Sequence, residues 1–445
     1  MRFIETTKNI WKIEDLRKRI IITLLLVLVY RFGCYVVLPG ISPNEIDALR
    51  NFTSGGLMQL LDMFSGGAFS QASIFALGIM PYITASIVIQ LLGMVLPSFQ
   101  KMQREGESGR TKLNQYTRYL TVLILLLQGP AYLVNLQVQV SSAGGVASFG
   151  FWTVAYLTII LAAGSMFIMW LGEKITDRGV GNGISFIILV GIIARLPGAF
   201  IQEFTNRLTT AQGGLVMFLV EIILLFAVIA GAVLLVQGTR KVPVQYAKRI
   251  VGNKQYGGAR QYIPLKVNAA GVMPIIFAQA IMFIPITLAG FGANQESTGF
   301  FRAFSDIHGF WYNFVYFIMI VAFTYFYTAI TVRPTQMAED MKRNNGFIPG
   351  IKPGKKTSEY LDSIMSRITL PGSIFLGFVA IMPAFANVCG VNQNFAQFFG
   401  GTSLLILVGV VLDTLQQIES HLMMRHYDGL MKSGKIKGRT TGSAY

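Results

Sequence analysis

Long apolar runs separated by shorter polar segments dominate this chain. Ten runs are long enough to cross a bilayer, since a transmembrane helix needs about 20 predominantly apolar residues. The pattern therefore predicts an all-α polytopic membrane protein with ten transmembrane helices. The predicted spans are residues 20–38, 74–96, 118–138, 151–172, 184–203, 214–237, 267–290, 311–332, 366–388 and 401–420.

A weaker segment, residues 57–73, precedes the second span. It is apolar enough to enter a membrane, but it is too short and too rich in glycine and serine to cross one. We expect a short re-entrant half-helix attached to the second span. Such a segment can stay at membrane depth only if it is buried in protein or lines a cavity. The sequence therefore predicts a cavity on the outer side of the second span.

Composition and charge support the membrane assignment and give an orientation. The chain of 445 residues is 53% hydrophobic and 13% charged, whereas soluble proteins carry about 25% charged residues. The net charge is +16, and basic residues gather in cytoplasmic loops. With a cytoplasmic N-terminus, 32 of the 37 lysines and arginines fall in or beside cytoplasmic segments. The other five are Arg31, Arg50, Arg195, Arg207 and Arg302.

The span count also predicts how the chain is organised. Five spans in each half would insert the halves with opposite orientation, and inverted halves frame a central pathway in many transport proteins. We therefore expect two pseudo-symmetric halves, 20–203 and 204–420. A cytoplasmic amphipathic N-terminus, 1–19, precedes them, and a cytoplasmic tail, 421–445, follows.

Two of the predicted cytoplasmic loops are long and basic, 238–266 and 333–365. Glycines and prolines punctuate the second, which favours a protruding turn over a long helix. The charges alone could reflect only the orientation rule. Orientation does not require loops of this length, so we predict docking surfaces for a cytosolic partner.

Residues for catalysis are scarce, and the sequence predicts neither an enzyme nor a metal or cofactor site. The three histidines fall at or outside span ends, and no zinc-protease motif is present. Arg31, Glu221 and Asp413 are the ionisable candidates within spans, and we interpret them as helix-packing or end-of-span groups. This weakens a secondary transporter for a small solute without excluding it. Cys34 and Cys389 are predicted to be buried free thiols.

Seven sequence motifs resemble those of the SecY family, whose members form the channel of the bacterial protein translocase. They occur in order from about residue 60 to 406, and the ten spans and the cytoplasmic N-terminus fit the same family. The motifs are MFSGGAFSQASIFALGIMPYITASIVIQLL, EGESGRTKLNQYTRY, WLGEKITDRGVGNGIS, YAKR, PLKVNAAGVMP, GFIPGIKPGKKT and GGTSLLI.

The resemblance implies an hourglass pore closed at its waist by isoleucine side chains. A narrow branched-aliphatic constriction dewets and therefore resists ions and water. Taken without the resemblance, isoleucines at helical spacing more often form ordinary core or lipid-facing surface. The matching positions of this pore ring are Ile79, Ile83, Ile188, Ile276, Ile284 and Ile406.

The resemblance also implies a plug and a lateral gate. Spans two and seven match the gate, with Thr84, Gln90 and Ile284 as its candidate residues; for the two polar ones an ordinary interhelical hydrogen bond is the alternative. The plug should move aside during transport, so we expect it to be held weakly. The plug positions within segment 61–73 are Phe64, Ser65, Gly66, Gly67, Ala68, Phe69 and Ser70.

The two basic loops match the family's docking site for a motor ATPase and the ribosome. Lys352 stands where many members have arginine, and lysine lacks the planar fork for bidentate pairing. The role of that arginine is therefore in question here. The docking candidates are Arg240, Lys241, Lys248, Arg249, Lys254, Lys352, Lys355 and Lys356.

Together these features predict a passive protein-conducting channel of the bacterial inner membrane, with both termini cytoplasmic. The resemblance implies SecE and SecG as small membrane subunits, the SecA motor ATPase, and the ribosome with its nascent chain as partners. Secretory preproteins, signal sequences and membrane lipid would also contact the channel. Nucleic acid would enter only through the ribosome. The alternative is a secondary transporter of a small solute.

Overall fold

The computed structural model describes most of the chain between residues 11 and 432. The described residues are 11, 13–41, 62, 65–142, 150–209, 214–246, 249–251, 254–256, 260–279, 281–282 and 309–432. Predictions that concern Phe64, Lys248 or Ile284 lie outside them.

The described residues are mostly helical. The helices are α1 (Glu14–Gly33), α2 (Met80–Val95), α3 (Pro97–Arg104), α4 (Glu107–Ser142), α5 (Phe151–Arg178), α6 (Gly183–Thr209), α7 (Gly214–Gln237), α8 (Phe310–Thr331), α9 (Pro334–Arg343), α10 (Lys355–Val388), α11 (Gln393–Ala396) and α12 (Gly401–Lys432), with a 3₁₀ turn at Gln397–Phe399. The strands are β1 (Thr239–Tyr246), β2 (Arg249–Val251), β3 (Lys254–Tyr256), β4 (Arg260–Lys266) and β5 (Gly346–Phe347).

Among the described residues, seven helices are long and apolar enough to cross a membrane. The count rises to eight if α2 and α3, which meet at a bend of 104°, form one broken span. The predicted span 214–237 coincides with α7. Predicted span seven is helical over 273–279 and described only to residue 282. The ten predicted spans are consistent with this arrangement.

The helix of the second span begins later than predicted, at Met80 rather than at residue 74. Residues 74–79 form turns, and the helix begins only at Met80. Gly78 adopts a left-handed φ of 56°, a conformation that interrupts a right-handed helix and suits glycine. Pro81 lies in the first turn of α2, where its missing N–H costs no helical hydrogen bond.

The described chain falls into two compact units. The first unit comprises residues 1–195 and 410–445, and the second comprises 196–409. In the first unit, α4 packs against α2, α3 and α5, and α5 also packs against α1. The predicted division at 203/204 is not tested by these contacts and stays a prediction.

In the second unit, α10 packs against α7, α8 and α9. The unit also contains a three-stranded sheet in the order β4–β1–β5 and a separate β2–β3 pair. The predicted loop 238–266 is thus an antiparallel ribbon, with Thr239 opposite Lys266. Val242 and Val244 are buried while Lys241 and Pro243 are exposed, the two-residue alternation expected of a half-buried strand.

Two predicted loop boundaries also change. α10 begins at Lys355, inside the loop predicted for 333–365, so the protruding turn there is shorter than expected. α12 continues to Lys432, past the predicted end of the last span at residue 420.

Candidate functional site

Of the half-helix predicted for residues 57–73, the described residues 65–73 form a chain of tight turns instead, while Asp62 is helical. Over residues 65–79 turn follows turn, broken by a single bridge residue, Ser73. Gly66 and Gly67 have left-handed φ values of 67° and 93°, which glycine adopts without steric cost. A Cβ at Gly66 would lie 2.9 Å from the Cα of Gly191 in α6. The glycines therefore allow both the turns and a close approach to α6.

Backbone contacts tie this segment to the chain that follows α1. Val37 and Ser73 form an antiparallel bridge. The Leu38 amide donates to the Ala72 carbonyl at 2.9 Å, and the Ile74 amide donates to the Val36 carbonyl at 2.9 Å. These bonds satisfy backbone groups that would otherwise be exposed at membrane depth.

Side chains of α1 hold the tip of the segment. The Tyr30 hydroxyl donates to the Ser65 carbonyl at 3.1 Å, and Nη1 of Arg31 donates to the Gly66 carbonyl at 2.8 Å. Arg31 therefore does more than the helix-packing role expected from the sequence. A charged donor makes a stronger hydrogen bond than a neutral one.

A second polar contact joins the segment to α6. Arg195 forms an ion pair with Asp62, which is 1% exposed. Nη2 of Arg195 also donates to Oγ of Ser70 at 3.1 Å, and the Ser70 amide donates to Oδ1 of Asp62 at 2.7 Å. Sequence reasoning missed Asp62 and left Arg195 without a role. The one available signal was that both charges lie beside or within apolar runs.

The apolar side of the segment packs against α4 and α5. The Phe69 ring meets the Tyr132 ring edge to face, with centroids 4.9 Å apart, and the Tyr132 hydroxyl donates to the Phe69 carbonyl at 3.1 Å. These rings belong to one buried cluster. Its members are Leu38, Phe69, Ala72, Ala76, Tyr132, Leu133, Leu136, Leu157 and Leu161.

The segment is therefore buried and well bonded. Residues 65–70 are all buried. The expectation that this segment is held only weakly is wrong for the described residues, since polar contacts from α1 and α6 add to the apolar contacts with α4 and α5. Any departure from this seat must break several specific bonds.

Gly164 of α5 should be essential to this packing. A Cβ there would overlap the backbone carbonyl oxygen of Ile74, which cannot move without shifting the whole segment. We expect Gly164→Ala to destabilise the protein by about 2 kcal/mol, as overpacking does elsewhere, and to lower the midpoint of thermal unfolding in detergent.

The matched control for this substitution is Gly198→Ala in α6, where nothing lies within 4 Å of the added Cβ. Alanine in a helix interior should be neutral or slightly stabilising there. Equal unfolding midpoints for the two variants would contradict the tight contact between α5 and Ile74.

The ring positions lie in both units. In the first unit Ile79 and Ile188 are buried and Ile83 is half-buried. The Ile83 amide donates to the Ile79 carbonyl at 3.1 Å, with Ile79 at the N-cap of α2; their shared helical face stays a prediction. In the second unit Ile406 is 3% exposed and Ile276 is half-buried. Closure of the ring itself stays a prediction.

The two polar gate candidates bond within their own helix. Oγ1 of Thr84 donates to the Met80 carbonyl at 3.1 Å, and Nε2 of Gln90 donates to Oγ of Ser86 at 3.4 Å. Both side chains therefore have a hydrogen-bond partner within α2.

The docking candidates from the two loops meet in one structure. β5 pairs with β1, placing Gln245 opposite Phe347, and Val242, Ile348 and Leu361 belong to a shared buried cluster. We call the sheet β4–β1–β5 with the following turn 348–354 and the start of α10 the basic platform. Its exposed cations are Arg240, Lys241, Lys266, Lys352, Lys355 and Lys356. Arg249 and Lys254 lie in the neighbouring β2–β3 pair.

Two of these lysines occupy an unfavourable place for helix stability. Lys355 and Lys356 are the first residues of α10, where the helix dipole is positive and cations are disfavoured. Oγ1 of Thr357 donates to the Lys352 carbonyl at 3.0 Å and fixes the adjoining turn. The platform therefore concentrates positive charge at a rigid point.

A third polar cluster lies at the junction of α6, α7 and the end of α10. Arg207 pairs with Glu203 at 2.9 Å and Glu221 at 2.6 Å, and it donates to the Gly390 carbonyl at 2.8 Å. Glu221 therefore packs helices together, as the sequence predicted. Both cysteines are free. Cys34 is buried, as predicted, whereas Cys389 is exposed, so the prediction of a buried thiol is wrong there.

Comparison with known proteins assigns these features to a family. The SecY family model matches residues 73–415. The protein translocase subunit SecY of Streptomyces griseus is 43% identical over 435 residues, covering 95% of this chain and 98% of the relative. The SecY subunit of Mycobacterium tuberculosis is 42% identical over 442 residues, covering 94% of this chain and 97% of the relative.

Solved structures share the fold. A protein-conducting channel superimposes with a TM-score of 0.62 and 18% identity, covering 96% of this chain and 95% of the other. Sec61 from a canine ribosome–channel complex of the endoplasmic reticulum superimposes with a TM-score of 0.60, again at 18% identity, with the same two shares covered. A SecY protein whose plug domain stabilises the closed state of its channel matches with a TM-score of 0.62, at the same identity and coverage.

Proposed function

This chain belongs to the SecY family, and we propose that it forms a protein-conducting channel that passes unfolded secretory proteins across a membrane. The multi-pass helical architecture supports this function. The same channel would release apolar helices of membrane proteins sideways into lipid. A transporter for a small solute is not supported, because the relatives are protein-translocase subunits.

One observation carries the proposal at the level of residues. A buried, turn-rich segment occupies the space in front of α2, between the side chains of α1, α4 and α6. We propose that residues 62–73 are the plug of the closed channel. The isoleucines Ile79 and Ile83, which directly follow it, would form part of the seal, together with Ile188, Ile276, Ile284 and Ile406 of the predicted ring.

The basic platform is proposed as the docking surface for an acidic face of a cytosolic motor ATPase or of a ribosome. Its joined loops and exposed lysines support that role, since complementary charge steers association. SecE and SecG are the proposed membrane subunits and SecA the proposed motor. The proposed location is the bacterial inner membrane, with both termini cytoplasmic.

Energy would come from the docked partner or the membrane potential rather than from a reaction within this chain. Among the described residues, no group of three or more metal-ligating side chains occurs. The direct test is reconstitution of the chain with the proposed partners. ATP-dependent passage of an unfolded secretory protein into vesicles is the expected result, and vesicles that take up no protein would contradict it.

A disulfide should fix the plug in its seat. Sγ of Cys34 lies 4.0 Å from the Ser65 carbonyl oxygen, so the backbone at position 65 is next to this thiol, and a disulfide needs two Cα atoms within about 7 Å of each other. In a Cys389→Ala background, oxidised Ser65→Cys should lower ATP-driven export more than tenfold because the plug can no longer leave. Export and single-channel conductance are the measurements.

Dithiothreitol should restore export, because it breaks the cross-link. The matched control combines Ser65→Cys with Cys34→Ala, which cannot cross-link and should be insensitive to oxidant. A fully cross-linked sample that exports at the reduced rate would contradict plug movement.

A further inference from the structure

We propose that Asp62, Ser70 and Arg195 form a breakable latch that holds the plug closed and sets how readily a signal sequence opens the channel. The inference rests on the proposed channel function. The latch would make Arg195 of α6 a selectivity determinant, although it lies 125 residues along the chain from Ser70.

The two oxygens of Asp62 have separate tasks. Oδ1 accepts a hydrogen bond from the Ser70 amide at 2.7 Å and, with the 2.8 Å bond from the Gly67 amide to the Asp62 carbonyl, closes the segment into a loop. Oδ2 pairs with Arg195. Loop closure is therefore local to the plug, whereas the ion pair joins the plug to α6.

Arg195 lies against the backbone of the same loop. A Cβ at Gly67 would lie 3.5 Å from Nη2 of Arg195, and the same nitrogen donates to Oγ of Ser70 at 3.1 Å. The planar guanidinium thus contacts the carboxylate of Asp62 and the hydroxyl of Ser70 together. Moving the loop away from α6 breaks both contacts at once and leaves the loop's own bonds intact.

The exposure of the arginine distinguishes the Asp62–Arg195 pair from the ion-pair cluster at Arg207. The Arg195 side chain is 30% exposed, so protein only partly encloses the guanidinium. By contrast Arg207 is 7% exposed and its partners Glu203 and Glu221 are 1% and 4% exposed. Asp62, at 1%, is as buried as Glu203, so the two clusters differ in the exposure of the arginine. Separating two charges costs less when one of them is partly exposed. The cluster at Arg207 suits a permanent joint, and the latch suits a reversible one.

The test measures ion conductance of the chain reconstituted with its membrane subunits but without motor or substrate. Asp62→Asn keeps an oxygen that can accept from the Ser70 amide and removes the charge. Arg195→Gln removes the partner. Each should raise conductance about tenfold and increase export of a preprotein with a defective signal sequence. Arg195→Lys, which keeps the charge without the fork, should give a smaller rise.

A double-mutant cycle tests whether the two residues act as one pair. Asp62→Asn combined with Arg195→Gln should raise conductance no further than the larger single change, since each single already removes the interaction. Arg118→Gln is the matched control. It breaks the Arg118–Glu173 pair, 2.7 Å long and more exposed, on helices α4 and α5, and should leave conductance unchanged.

Two results would overturn the latch without affecting the proposed function. In the first, Asp62→Asn and Arg195→Gln leave conductance unchanged while Ile83→Asn raises it. In the second, the effects of the two substitutions on conductance add in the double variant. A reconstituted unmodified chain that passes no secretory protein would overturn the proposed function itself. Folding of each variant is checked by its thermal unfolding midpoint, and conductance is compared per folded channel.

Discussion

Ile83→Asn should raise the ion conductance of the closed channel by roughly a hundredfold, equivalent to about 2.7 kcal/mol of lost barrier. Ile83 is half-buried in the first turn of α2, and this helix begins directly after the turn-rich segment. A branched aliphatic side chain keeps a narrow constriction dry, whereas an amide binds water and lets ions follow. Conductance of reconstituted vesicles, without motor or substrate, measures the effect.

The same substitution at Ile406 of α12 should act in the same direction, because that residue matches the predicted ring from the second unit. Selectivity for signal sequences should relax in both variants. Ile83→Leu is the control, since leucine retains an aliphatic surface, and it should conduct like the unmodified chain. Asparagine variants that conduct within twofold of that level would exclude these positions from the seal.

Reversing the charge of the basic platform should weaken motor-driven export by at least tenfold. Lys352, Lys355 and Lys356 are exposed at the turn and at the start of α10. Replacing all three by glutamate changes the local charge by about six units, which turns attraction for an acidic partner into repulsion. Membrane insertion should stay intact. Motor binding and ATP-dependent export are the measurements.

Replacing the same three lysines by arginine is the matched control. Binding should be preserved, because the positive charge is kept, and a gain would indicate that the partner offers carboxylates for bidentate pairing. Binding by the unmodified chain should also fall as ionic strength rises. Normal motor binding by the glutamate variant would exclude the platform as the docking site.

The positions of the spans could be predicted from the sequence because they depend on local composition. The run 214–237 is apolar except for Glu221 and Gln237, and it coincides with α7. Backbone hydrogen bonds of a helix close within four residues, so no distant partner is needed to decide that such a run becomes helical. The orientation of the spans in the membrane could also be predicted locally, because lysine and arginine are enriched in cytoplasmic loops.

The turn-rich segment shows where local reasoning fails. Residues 74–79 are as apolar as a span, and hydrophobicity predicts burial without distinguishing turns from helix. The left-handed Gly78 and Pro81 in the first turn of α2 decide where the helix begins. Proline is common in the first turn of a helix, so Pro81 was a sequence signal that α2 begins near Met80. The strands β1 and β4 were missed although Val242 and Val244 alternate with Lys241, Pro243 and Gln245.

The sequence by itself determined the membrane-spanning class, the family resemblance and the identity of the segment that cannot span. Only the tertiary structure decided how that segment is held. Arg31 and Arg195 approach it from α1 and α6, and the two basic loops join through β1 and β5. Such contacts depend on which distant groups the packed helices bring together, and that pairing is not encoded in the local pattern of any single segment.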